Sequence, residues 1–291
     1  TGEKNVAVGG ATLTANTTGD ENTAVGYDAL SSNTTGTYNI AVGYDALSSS
    51  TTGTSNVAVG AQSLNSNTTA NYNVAIGRRA MGSNTTGGGN VAIGSSSLSD
   101  NTTGDYNVAV GRSALNSNTT GDNNVAIGGT VLNYNSTGSR NIAIGYLAYK
   151  AADTENDNLA IGYNALSGSI DGGEYNIAIG NYSMDALTSG DNNVAVGYDA
   201  LGLNTTGKEN TAIGYHALQS NTTGDSNISI GERAGNVITT GSNNLIIGQG
   251  ADPSGAAGAN QIVIGQGATG HGDNIAVIGN GSATAIHPHD D

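Results

Sequence analysis

Cysteine, phenylalanine and tryptophan are absent from this 291-residue chain, and proline and methionine occur only twice each. Without cysteine there is no disulfide scaffold and no thiolate metal site. Without Phe or Trp the usual bulk of a globular core is missing, because large aromatic side chains dominate core energetics. Cations are also scarce: 8 Lys and Arg stand against 23 Asp and Glu, a net charge of −15. That balance repels phosphate backbones and anionic lipid, so nucleic acid and membrane surfaces are poor partners. No apolar run approaches the roughly 18 residues of a membrane-spanning helix. The chain opens on Thr1, not Met, and shows no signal peptide, as expected of an excised or processed segment of something longer.

What is abundant is glycine, 46 residues, and it is periodic. A Gly follows each Asn-Val-Ala-Val/Ile block at Gly9, Gly26, Gly43, Gly60, Gly77, Gly94, Gly111, Gly128, Gly145 and Gly162. After one 18-residue step it resumes at Gly180, Gly197, Gly214, Gly231, Gly248 and Gly265, and a 14-residue step reaches Gly279. Every other step is 17 residues. Such self-similarity is the mark of a repeat architecture.

One unit runs Asn22-Thr23-Ala24-Val25-Gly26-Tyr27-Asp28-Ala29-Leu30-Ser31-Ser32-Asn33-Thr34-Thr35-Gly36-Thr37-Tyr38. Val or Ile precedes every marker Gly, another usually lies two residues earlier, and Ala sits between them. That alternation predicts a strand with two different faces. Leu30 and its equivalents predict a short second strand. Asn-Thr-Thr-Gly predicts a turn in which Asn and Gly take positive φ. A helix is excluded by Gly and Asn recurring every few residues. Strands at constant spacing stack as coils of a parallel solenoid, each pairing only with its neighbours. At about 4.8 Å per coil, 17 coils would make a rod of roughly 80 Å.

So few large apolar side chains per coil favour burial of a second face against other chains. The small Ala column is the expected contact, and self-association with three-fold symmetry is the expected assembly. Residues 1–248 read as regular repeats and 249–291 as irregular terminal rungs and a tail. The Ala column drifts to Ser229, Ile246, Val263 and Val277, which predicts a changed cross-section there.

The blocks Asn90-Val91-Ala92-Ile93-Gly94 and Asn39-Ile40-Ala41-Val42-Gly43 resemble head repeats of trimeric autotransporter adhesins. The longer Gly26–Gly36 stretch is more similar to repeats of bacteriophage tail fibres. So are Asn260–Gly265 and Gly272–Gly279. The resemblance implies an all-β, left-handed parallel β-roll or β-solenoid assembled as a homotrimeric extracellular fibre. In such fibres a C-terminal self-cleaving chaperone domain often follows, and no such domain is recognisable in this sequence. The stricter 17-residue period favours a virion tail fibre involved in host attachment over an adhesin head on a bacterial cell surface.

No convergent cluster suggests catalysis, so an enzyme is not expected, and neither is a cofactor or a metal. Gly248-Gln249-Gly250 lies inside a β-repeat and carries no nucleotide meaning. His216 reads as a surface substitution. His287, His289, Asp290 and Asp291 could bind a metal but read better as a tail. Asp20, Asp105, Asp122, Asp191 and Asp225 read as isolated hydrated acids, not calcium ligands. Asn16, Asn33 and Asn67 match the N-glycosylation pattern but read as turn chemistry.

Tyr27, Tyr44, Tyr146, Tyr163, Tyr198 and Tyr215 form one column after the marker Gly. Tyr38, Tyr72, Tyr106 and Tyr175 form a second. The first column is a speculative glycan-contact stripe for a host-surface glycan or protein receptor, set against a ladder that only covers the interior. The Thr-Thr columns (Thr17/Thr18, Thr34/Thr35, Thr68/Thr69) raise a third function, ice binding. The repeat is interrupted at Tyr149–Asp157 and near Ile170–Glu174, both expected as altered outer turns and local contact points.

Overall fold

The structure, a computed structural model, describes residues 2–282; His287, His289, Asp290 and Asp291 lie outside them. It divides into two compact units, Thr1–Asn156 and Asp157–Asp291, and the division falls within the interrupted Tyr149–Asp157 segment. Each is a parallel β-solenoid, with no helix among the described residues.

The first unit carries β1 (Val6–Val8), β2 (Thr23–Val25), β3 (Ile40–Val42), β4 (Val57–Val59), β5 (Val74–Ile76), β6 (Val91–Ile93), β7 (Val108–Val110), β8 (Val125–Ile127) and β9 (Ile142–Ile144). Each strand pairs in parallel with the next in repeat register, as Val57↔Val74, Ala58↔Ala75 and Val59↔Ile76 show. The second unit carries β10 (Leu159–Ile161), β11 (Ile177–Ile179), β12 (Val194–Val196), β13 (Thr211–Ile213), β14 (Ile228–Ile230), β15 (Leu245–Ile247), β16 (Ile262–Ile264) and β17 (Ala276–Ile278). Register survives both irregular steps: Leu159 pairs with Ile177 and Ile262 with Ala276. The extra and missing residues are absorbed in turns.

The strand faces are the reverse of the sequence expectation. The Ala column points inward and is fully buried (Ala24, Ala41, Ala58, Ala75, Ala92), together with Leu30, Leu47, Leu64, Met81 and Leu98. The Val and Ile flanking each Ala point outward and are half-buried or exposed. The coil is too tight for three branched side chains on its inner wall, so the small residue faces in. Alanine fully enclosed by its own chain cannot serve as the contact between chains.

The expected second strand is absent. The stretch around each inward Leu is a chain of turns, with left-handed backbone at Asp28 (φ 54°) and Leu30 (φ 52°), and again at Tyr38 (φ 60°). Positive φ therefore falls on these positions and on the marker Gly, not on Asn33 or Gly36. Gly36 is required by space: a Cβ there would collide with the Gly53 carbonyl of the next coil. At Gly60 both demands act, since φ is +131° and a Cβ would lie 2.7 Å from the Gly77 carbonyl carbon.

Backbone hydrogen bonds join neighbouring coils nearly all the way round, not only at the strands. From one coil, Val57 N donates to Asn73 O, Gly60 N to Val42 O, Gln62 N to Tyr44 O, Leu64 N to Ala80 O, Thr68 N to Thr85 O and Tyr72 N to Thr54 O. A turn that repeats identically finds its partners in its own copies, which is how a thin coil leaves few backbone groups unpaired.

Two buried asparagine ladders complete the interior. Before most strands an Asn side chain accepts from the backbone of the next Asn and donates to a carbonyl of the next coil, usually that of a glycine. Asn56 Oδ1 accepts from Asn73 N at 3.1 Å, and Asn73 Nδ2 donates to Gly87 O at 2.9 Å. In the Asn-Thr-Thr-Gly turn a second ladder runs side chain to side chain, as Asn101 Nδ2 to Asn84 Oδ1 at 2.7 Å and Asn118 Nδ2 to Asn101 Oδ1 at 2.8 Å. Its unpaired buried oxygens are Asn33 Oδ1, Asn135 Oδ1 and Asn221 Oδ1. Each lies one coil before a residue that breaks the column: Ser50, Ala152 and Ile238.

Toward the end of the second unit the drifted inner positions stay inside. Ser229, Ile246 and Val263 are fully buried, and Gly235 stands where Leu218 stood one coil earlier. Bulk moves from the Leu column to the Ala column, so packing is kept as the inner wall changes. At Tyr149–Asp157, Tyr149 takes the inward Leu place and is fully buried. This part of the interruption is an interior substitution, not an altered outer turn.

Candidate functional site

The first tyrosine column is a self-stacked ladder. Tyr27 and Tyr44 stack with ring centroids 5.9 Å apart and planes 10° from parallel. In the second unit Tyr198 and Tyr215 stack at 5.4 Å, and Tyr182 packs edge-on against both Tyr163 and Tyr198. Tyr146 lies over Gly129. Tyr27 and Tyr44, and Tyr198 and Tyr215, each give one ring face to the other, while all six tyrosines of the column stay between 40% and 57% exposed.

The second column differs. Tyr72 and Tyr106 are the most exposed aromatic side chains, at 70% and 67%, and neither stacks on another ring. Between them the column is empty, because Gly89 occupies the intervening tyrosine place. A Cβ on Gly89 would lie 2.8 Å from Tyr106 Cδ1, so the absent side chain lets that ring lie down against the backbone. The result is a cleft of about 340 Å3 lined by Thr69, Asn71, Tyr72, Thr86, Gly89, Asp105 and Tyr106 among others. Nothing in the sequence periodicity flags it except the run Gly87-Gly88-Gly89, which interrupts both the tyrosine column and its neighbour.

The five aspartates noted above share one column and are not isolated. Asp105 Oδ1 accepts from Gly88 N at 2.6 Å, Asp122 Oδ1 from Asp105 N at 2.7 Å, and Asp225 Oδ1 from Lys208 N at 2.8 Å. Asp20 and Asp191 accept from Glu3 N and Glu174 N in the same way. Where the column carries Asn71, its Oδ1 accepts from Thr54 N at 2.7 Å. The expected hydrated acids are thus inter-coil backbone acceptors. Among the described residues no group of three or more His, Cys, Asp or Glu could hold a metal ion.

His216 is more covered than a surface substitution would be. It packs against both rings of the stacked Tyr198–Tyr215 pair, with the Tyr215 ring centroid 3.9 Å away, and its Nδ1 lies 3.2 Å from Asp199 Oδ2. Gln219 Nε2 donates to the same oxygen. Beside this group, burial and the nearby Asp199 charge raise the Asp185 carboxyl to about 6. Asp252 is likewise raised to about 6 by burial, although Val237 N donates to it.

The two Thr columns part company. Thr34, Thr68, Thr85, Thr102 and Thr119 donate their Oγ1 to carbonyls of the next coil. Thr18, Thr35, Thr52, Thr69, Thr86, Thr103, Thr120 and Thr137 form an exposed column in the first unit. The Asn of the same turns is unsuited to glycosylation at Asn33 and Asn67: both are fully buried, and Asn33 Nδ2 donates to Asn16 Oδ1 and Gly36 O.

Among the described residues no helix is long and apolar enough to cross a membrane. No protein-family model matches the chain, and a search of curated proteins finds no match.

Proposed function

We propose that the chain is the structural shaft of an extracellular homo-oligomeric fibre, with three left-handed β-solenoid chains packed together. The assembly most consistent with the repeat is a phage tail fibre contributing to host attachment. The observation that carries this reading is the outer strand face. Across β1–β9 every outward strand position is Val or Ile save Thr23, and none is charged. Parallel sheets are almost always covered on both faces. Here the chain's own Ala and Leu cover one face and leave a branched apolar stripe on the other. A like chain offers the same stripe with the same period, which makes a second copy the fitting cover.

Sedimentation equilibrium tests this directly. The expected mass is a multiple of the 28.7 kDa chain, three-fold by preference. Val59→Lys with Ile93→Lys should shift it to one chain. An unaltered chain sedimenting at the mass of one chain would overturn the proposal.

A second reading rests on the exposed threonine column of the first unit. Eight hydroxyl- and methyl-bearing side chains repeat at the coil spacing, about 4.8 Å, a regular array of the kind that could order water into an ice-like layer. Thermal hysteresis of freezing would support that reading, and its absence would remove it.

A further inference from the structure

The geometry points to a carbohydrate-binding cleft in the first unit, between Tyr72 and Tyr106 over Gly89, that takes one or two neutral pyranose rings. It is distinct from the stacked Tyr27–Tyr44 column, where each ring gives one face to the other.

A sugar ring needs an aromatic face for its C–H surface and hydrogen-bonding groups for its hydroxyls. The cleft supplies both. Tyr72 forms one wall and Tyr106 lies against the floor. Like backbone positions two coils apart are separated by about 9.6 Å, so loss of one side chain from the column opens room for a ring.

The polar groups are held in place. Asp105 has one oxygen fixed by Gly88 N, which leaves Oδ2 to accept from a sugar hydroxyl. Asn71 has its oxygen fixed by Thr54 N and Thr54 Oγ1, which leaves Nδ2 to donate. Thr69 and Thr86 are exposed at the rim. Asn71 and Asp105 stand two coils apart, about 9.6 Å, so the donor and the acceptor meet hydroxyls on opposite sides of a sugar laid across the aromatic wall. The −15 net charge and the Asp105 carboxylate disfavour sialic and uronic acids.

Specificity at an interruption follows from the architecture. The column reads Tyr38, Ser55, Tyr72, Gly89, Tyr106 and Asn123, and of these Gly89 alone has no side chain, which makes that place unlike its neighbours. The cleft gives the adhesive part of the proposed function a ligand class. It lies within a single chain, so loss of glycan binding and loss of self-association are separable results.

Saturation-transfer NMR on the intact chain tests it, with lactose, maltose and N,N′-diacetylchitobiose as probes and 3′-sialyllactose as the charged comparison. At least one neutral probe should bind, and binding should weaken at least about tenfold in Tyr72→Ala and in Gly89→Tyr. Gly89→Tyr fills the position: its φ of 69° is close to the 61° and 57° that Tyr72 and Tyr106 hold, and its Cβ displaces the Tyr106 ring from the cleft floor. Should that variant fail to fold, the exposed Tyr72→Ala carries the test alone. Tyr27→Ala should leave binding unchanged. No binding by any neutral probe, preference for the sialylated probe, or equal binding by the Tyr72→Ala variant would overturn the assignment. Sedimentation of the same samples reports self-association separately.

Discussion

Asn73 and Asn90 lie one coil apart, and Asn73 Oδ1 accepts the backbone N–H of Asn90 at 2.9 Å inside a fully buried column. The same side chain donates to Gly87 O. One amide thus satisfies two main-chain groups of the following coil that water cannot reach.

Asn73→Ala should therefore orphan the Asn90 N–H and the Gly87 carbonyl together. The expected cost is about 2–4 kcal/mol, read as a lowered thermal midpoint by circular dichroism. A change no larger than that of an exposed Ser→Ala substitution would show the ladder to be ornamental.

Ser50→Asn should act in the opposite direction. Ser50 Oγ and Asn33 Oδ1 are both buried without partners. An Asn at position 50 would donate to Asn33 and accept from Asn67, joining two runs of the turn ladder. A gain of about 1–2 kcal/mol is expected, and hydrogen exchange should slow at the amides of the flanking turns.

Gly60→Ala should be among the most damaging single-atom changes in the first unit. The backbone angle disfavours any Cβ, and the Gly77 backbone occupies its place. A loss of at least about 2 kcal/mol is expected. Gly82→Ala, with its nearest atom 3.5 Å away and no positive φ, should cost much less and serves as the comparison in the same denaturant titration.

Acid should strengthen the second unit. Asp185 and Asp252 have folded-state values near 6 against an ordinary 3.8. An acid raised in the folded state binds protons there before it does so unfolded. Stability is then highest below about pH 4 for these groups and falls as pH rises toward 6. Both side chains are only half-buried, so water screening limits each contribution to about 1 kcal/mol. Asp185→Asn with Asp252→Asn should raise stability at pH 7 and flatten the difference between pH 5 and pH 7. An unchanged pH profile would argue against the burial of these carboxyls.

The period, the strand positions and the stacking of coils were legible from the spacing of glycine and Val/Ile alone. The orientation of the strand was not. Large apolar residues usually face inward, but a regular 17-residue coil already holds one Leu and two buried Asn inside, which leaves room on the inner strand face for little more than Ala. The left-handed turns at Asp28 and Leu30 were hidden for a related reason. Leucine does not favour that backbone, and Leu30 N and Asp28 N each donate to a carbonyl of an adjacent coil, which holds it. The asparagine ladders looked like turn chemistry, because a side chain's partner one coil away is 17 residues distant in sequence. The cleft between Tyr72 and Tyr106 was signalled only by a missing tyrosine, which a search for what repeats passes over.

Coils that find their partners in neighbouring copies also make each regular solenoid unit extensible in whole steps. Excising residues 57–73 from the first unit would bring Asn56 against Val74 and keep the inner Ala, Leu and Asn columns in register. Length can then change by insertion or loss of single repeats, about 4.8 Å at a time, without redesign of a core. A gene encoding such a chain can drift in reach while holding its cross-section constant. A deletion would be noticed where a column is irregular, as at Ser50, Gly89 and Tyr149.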